Sequence, residues 1–133
     1  MLPIEPSDYA QNEAWLLFQL NEEPVQTEVD GEFNAMAIME VATGIILGLE
    51  LVQDGLPGMP EFLSRRLLAH SEGEAGARPK KLFVASEYDA DDLIKVAGGM
   101  RIEVERVPIK DLSSITQEAR ESFAAHVSGG RGQ

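Results

Sequence analysis

No cysteine occurs among the 133 residues of this chain. Disulfide frameworks, thiolate zinc sites, iron–sulfur clusters and thiol nucleophiles are excluded together. Histidine is nearly as scarce, with only His70 and His126, too few for an imidazole-rich metal site. Each reads instead as a residue of a helix's last turn, where the dipole favours a protonated ring. The longest apolar stretch, residues 45–52, is broken by Gly48 and Glu50, far short of a membrane span. The opening Met1-Leu-Pro-Ile-Glu-Pro6 is not a basic-then-apolar leader. The expected location is cytoplasmic, with no membrane partner.

Positive charge is missing from the first half altogether. Residues 1–64 carry twelve carboxylates and no Lys or Arg, whereas residues 65–133 carry eleven of each sign. The whole net charge of −12 therefore lies in the first half. Phosphate backbones are held by clustered Lys and Arg that release counterions, so a nucleic-acid partner is not expected. Carboxylates without local partners should collect on one acidic face, flanked by Arg65, Arg66, Arg78, Lys80 and Lys81.

What is present is an ordinary globular composition, 44% apolar and 26% charged. A chain of this size buries about two-thirds of its unfolded surface and needs no disulfide or metal to do so. Residues 14–20 form an apolar run ended by Asn21-Glu-Glu-Pro24. Residues 25–29 alternate with period two before Asp30-Gly31, a hairpin signal. Residues 33–41 and 45–52 are two further strands around the Ala42-Thr43-Gly44 turn, and Asp54-Gly-Leu-Pro-Gly58 closes the meander.

The period then changes. Pro60 and Glu61 suit a helix start, with Met59, Phe62, Leu63 and Leu67 on one face, and residues 71–78 read as a loop. Residues 81–85 form a strand. Residues 88–97 form a helix with an acidic first turn, ended by Gly98-Gly99. Residues 101–107 alternate as a last strand. A capping box at Ser114-Ile-Thr-Gln117 opens a final helix carrying Ile115, Ala119, Phe123 and Val127 at four-residue spacing. The expectation is one mixed-sheet α/β domain over residues 1–127, with 128–133 a disordered tail.

Strands in a meander followed by alternating helix and strand resemble the order of the ribonuclease H-like fold, host to integrases and transposases. Ala35-Met-Ala-Ile-Met-Glu-Val-Ala-Thr-Gly-Ile-Ile-Leu-Gly-Leu-Glu-Leu51 is similar to the second and third strands of that fold. Arg78-Pro-Lys-Lys-Leu-Phe-Val-Ala-Ser-Glu87 is similar to the fourth. With Trp15, the same segments resemble an uncharacterised bacterial family of small α/β domains, and the likeness runs over roughly residues 14–112. The resemblance implies metal-binding acids on the first strand and at the end of the fourth, where two ions would activate water and stabilise the leaving oxygen. Here the first strand, Trp15-Leu-Leu-Phe-Gln-Leu20, carries no carboxylate, and Ser86 stands about where the second acid belongs.

Three acids, Glu40, Glu87 and Asp89, are the remaining metal candidates. The run Glu87, Asp89, Asp91, Asp92 lacks calcium-loop spacing and matches a helix dipole instead. Gly73-Glu-Ala-Gly-Ala-Arg-Pro-Lys-Lys81 enters a strand rather than a helix, so it is no phosphate loop. Arg78, Lys80 and Lys81 are the one basic concentration, suited to an anion or a partner, or else guarding a strand edge. No nucleophile–base pair stands out and no Gly-x-Ser-x-Gly elbow occurs, so no catalytic residue and no cofactor is expected. The sequence favours a non-catalytic module that binds protein or a second copy of itself. Two alternatives stand beside it: a metal-dependent phosphoryl-transfer remnant using Glu40, Glu87 and Asp89, and a small-molecule sensor.

Overall fold

The computed structural model describes residues 4–21, 25–27, 31–53 and 58–131, with 25–27 and 126–131 described by backbone alone. Four strands come first: β1 (Ala14–Gln19), β2 (Val25–Thr27), β3 (Gly31–Glu40) and β4 (Ile46–Gln53). They are followed by α1 (Glu61–Ala75), β5 (Lys81–Ala85), α2 (Asp91–Gly99), β6 (Glu103–Val107) and α3 (Ser113–Arg131). The long strand β3 organises the sheet. One of its edges takes β4 antiparallel; the other takes β1 along residues 36–40 and β2 along residues 31–33, both antiparallel. β5 then adds parallel to β1, and β6 parallel to β5. The order across the sheet is β4, β3, β1, β5, β6, with β2 in line with β1. Hairpin connections give way to helical crossovers after Pro60 because parallel neighbours cannot be joined by a tight turn.

Both faces of β1 are buried, which is why it reads as an unbroken apolar run rather than an alternating one. Trp15 and Leu17 join Ile38, Leu67, Leu82, Val84 and Leu93 beneath α1 and α2. Leu16 and Phe18 join Met39, Phe83 and Leu112 in the opposite layer, where Ile115, Ala119 and Phe123 of α3 close the core.

Each of α1, α2 and α3 differs from the sequence expectation at one or both ends. α1 continues through residues 71–75, expected as loop, and ends at Gly76 in the left-handed conformation, φ +74°. Its last turns are docked: a Cβ on Gly48 of β4 would lie 2.7 Å from Ser71 Oγ and 3.1 Å from Leu67. His70 is therefore an exposed residue of the helix interior and not a cap. α2 starts at Asp91 and takes in Gly98 and Gly99, because the reversal falls on Arg101 at φ +63°. Burial of Ile102, whose N–H bonds the Ala97 carbonyl at 3.0 Å, fixes that exit. The backbone of α3 is helical through Arg131, past the expected boundary at residue 127. A helix already nucleated by packed Ala119 and Phe123 propagates at little cost per residue. Residues 28–30 and 54–57, which carry two of the expected turns, lie outside the described residues.

The acids of the first half do meet bases from the second. Arg66 grips Glu50 with two hydrogen bonds, at 2.5 and 2.9 Å. Glu61 faces Arg65 at 3.8 Å and Lys95 at 3.9 Å. These pairs are largely exposed and contribute little each, whereas the net charge of −12 acts on the whole domain. Screening should therefore stabilise the fold. Raising NaCl from about 20 to about 300 mM is expected to add roughly 1 kcal/mol, or about 4 °C in melting temperature. A midpoint that falls with salt would mean that the ion pairs outweigh the repulsion.

Candidate functional site

β1 and β5 run side by side through Leu17 and Val84 and then part. The backbone of Gln19, past the last paired residue, is satisfied by side chains instead. Its N–H donates to Tyr88 Oη at 3.1 Å, and its carbonyl accepts from Arg120 Nε at 3.0 Å. Asn21 extends this network, accepting the Ala35 N–H at 2.7 Å and donating to Asn34 at 3.0 Å.

On the α1 side of this divergence lies a cavity of about 380 Å³. Its floor is apolar, from Leu17, Met36, Val52 and Met59; its polar lining comes from Gln19, Asn34, Gln53, Glu87 and Asp89. The β5–α2 loop that forms one wall is held by Arg106 of β6. A single guanidinium nitrogen, Nη2, donates to the carbonyls of Ala85, Ser86 and Tyr88 at 3.1, 3.2 and 2.5 Å. The same loop touches the start of α1, where Gly58 adopts φ +151° against the Asp89 backbone.

The sequence candidates do not converge. Glu87, at the exposed rim, accepts hydrogen bonds from the Ile109 N–H at 2.9 Å and from Ser86 Oγ at 3.2 Å. The Ile109 N–H, with smaller help from Arg106, holds the Glu87 carboxyl below the usual range. Its folded value lies below the unfolded one, so its contribution to stability is present at neutral pH and fades as acid protonates it. Glu40 sits at the other end of the sheet, its strand position opposite Trp15 at the start of β1. Its carboxylate is buried and structural. It accepts the N–H of Asn12, a residue at φ +62°, and Thr43 Oγ1 at 2.9 Å. Glu40 therefore cannot share an ion with Glu87 and Asp89.

The basic trio is likewise split between layers. Arg78 pairs with Glu72 and donates to the Met100 carbonyl at 3.2 Å, on the α1 and α2 side. Lys81 lies over the Phe83 ring in the other layer and pairs with Glu105 at 3.0 Å; that hydrogen bond raises its pKa. Lys80 is exposed between them, its backbone bonded to Glu13 and Glu103.

The metal arrangement implied by the fold does not fit these residues. Leu17 and Gln19 present apolar and amide groups from β1 where an acid would be needed. Among the described residues, no three His, Asp or Glu side chains are grouped so as to hold a metal ion. The amides of Gln19, Asn34 and Gln53 carried no sequence signal of a site, since polar residues at strand ends are the normal way for strands to meet water.

The strand order and directions are those of the ribonuclease H-like fold, and solved structures share them. The HTLV-2 integrase catalytic core domain, in complex with magnesium and in a dimeric form, aligns at a TM-score of 0.55 and 6% identity. That match covers 74% of this chain and 62% of the integrase chain. A chain of the simian T-cell lymphotropic virus intasome, in complex with the PP2A regulatory subunit B56 gamma, aligns at 0.55 and 11% identity. There 84% of this chain and 37% of the other are covered, so this chain spans less than two-thirds of either neighbour. Likeness at such identity carries the fold alone. No family model and no curated protein matches the sequence, and the viral neighbours lend no support to a bacterial source. Among the described residues, no helix is long and apolar enough to cross a membrane.

Proposed function

We propose that this chain is a non-catalytic module of ribonuclease H-like fold that acts by binding protein. One observation carries the reading. Among the described residues, every large exposed apolar side chain (Ile45, Ile46, Leu49, Leu51 and Phe62) lies on or beside β4. Ile46, Leu49 and Leu51 share one strand and mark it as an interaction surface, with Phe62 of α1 on the other side of that edge, whereas apolar residues exposed singly would mean nothing. The cavity supports the non-catalytic half of the reading: its β1 wall offers Leu17 and Gln19, so a two-ion mechanism has no first-strand ligand.

The test has two arms. With Mg²⁺ or Mn²⁺, the purified protein is expected to leave single- and double-stranded DNA and RNA intact; cleavage that disappears on Glu87→Ala would overturn the non-catalytic reading. In the second arm, partners captured on the immobilised protein are expected to be lost with Leu49→Lys/Leu51→Lys and kept with Gln117→Lys/Ser122→Lys. The second pair adds the same charge on exposed positions of α3. The cavity supports one further reading, a site for a small molecule with an apolar body and hydrogen-bond donors. A thermal-shift response that is abolished by Gln19→Leu would favour it.

A further inference from the structure

Building on the protein-binding reading, we infer that the partner at β4 is a second copy of this chain, joined edge to edge by antiparallel pairing of the two β4 strands about a two-fold axis. The two edges of the sheet are unlike. β6 is five residues long and exposes Glu103, Glu105 and Arg106, the charged, short form by which natural sheets block edge pairing. β4 is eight residues long and carries one charge, Glu50. Among the described residues, no strand pairs its outer edge. Such an edge presents unpaired N–H and C=O groups to any complementary strand.

Self-complementarity selects the occupant. A two-fold axis through Glu50 places Leu49 of one copy opposite Leu51 of the other, and Leu51 opposite Leu49. Directly opposed residues share a face in antiparallel strands, so four leucines that are about half exposed in one copy become one apolar block. On the α1 face, the same axis brings together two Glu50–Arg66 pairs. Each carboxylate then lies near the guanidinium of the other copy as well as its own, so the sole charge on the strand is matched across the axis. Isologous contacts of this kind are the commonest route to a closed dimer. The long-range term opposes association, because each copy carries −12; the dimer should therefore tighten as salt rises.

Sedimentation equilibrium of the full chain tests this at protein concentrations from about 1 to about 100 µM, in low and high salt. The expected result is a shift from 14.5 kDa toward twice that mass, at lower concentration in high salt. Leu49→Lys/Leu51→Lys is expected to weaken association at least tenfold with an unchanged melting profile, since both side chains are exposed; Gln117→Lys/Ser122→Lys should not weaken it. Hydrogen exchange at β4 amides should slow on association while β6 amides do not change. A dimer that survives the Leu49/Leu51 variant, or exchange that slows elsewhere instead, overturns the inference. A monomer at every concentration also overturns it. If such a monomer still captures a partner that the edge variant loses, the protein-binding reading stands without the second copy; if it captures none, both fall.

Discussion

Phe83→Ala is expected to cost about 3–5 kcal/mol, the range for removing a fully buried aromatic ring. Measured by urea denaturation or calorimetry, that should appear as a melting temperature lower by more than about 10 °C. Phe83 is 1% exposed on β5, between Leu16 of β1 and Glu105 of β6 in register. Tyr9 meets its edge with centroids 5.7 Å apart and ring planes at 80°, a favourable aromatic geometry. Lys81 Nζ lies 5.6 Å from its centroid. The ring thus joins the N-terminal turn, the central strand and the α3 layer, and its loss leaves a hole that none of the three can close alone. Phe62→Ala is the internal comparison: that ring is 65% exposed, and surface truncations stay within about 0.5 kcal/mol. Equal losses for the two variants would show that the layer around Phe83 is not packed as described.

Gly58→Ala is expected to cost about 2–4 kcal/mol, by a different mechanism. At φ +151° the backbone is in a region open in practice to glycine only. An added Cβ would also lie 2.6 Å from the Asp89 carbonyl oxygen and 3.3 Å from its carbon. Both colliding groups are backbone, so no rotamer change relieves the contact, and α1 must move away from the β5–α2 loop. Because that loop walls the cavity, the variant should also alter any ligand response. A loss below about 0.5 kcal/mol would show that the two segments can separate freely.

The β architecture was legible because each strand announces its environment. The apolar run Ala14–Phe18 of β1 fits a doubly buried strand, and the Gly-containing turn at 42–44 fits a chain reversal. Pro60 marked the change to crossovers. The helix ends were less legible, because tertiary contacts decided them: the last turn of α1 forms where Gly48 admits Ser71, and α2 ends where Ile102 needs burial. The site was half legible. Absence of an acid from β1 can be read directly, and so can Ser86 after β5. Glu40 reads as a turn residue from the Ala42-Thr43-Gly44 that follows it, and the structure puts it there, but its burial and its bond to the Asn12 N–H depend on long-range contacts. Nor does sequence order show that Arg106 clamps three carbonyls of one loop, since it looks like any charged residue on an alternating edge strand. The charge map was legible in one respect: Arg65 and Arg66, expected to flank the acidic half, do meet Glu61 and Glu50.

The position of β1 also governs the order in which the molecule can be completed. It is synthesised first among the strands, yet it lies in the middle of the sheet with a neighbour on each edge. Its β3 edge closes with residues about twenty positions later, but its β5 edge waits for residues 81–84. The backbone of Gln19 is satisfied on that side only when Arg120 has emerged. Long loops must close before these contacts contribute, so folding should be slow for a domain of this size. On the ribosome, the most apolar of these strands remains half-covered until the residues of α3 have been made.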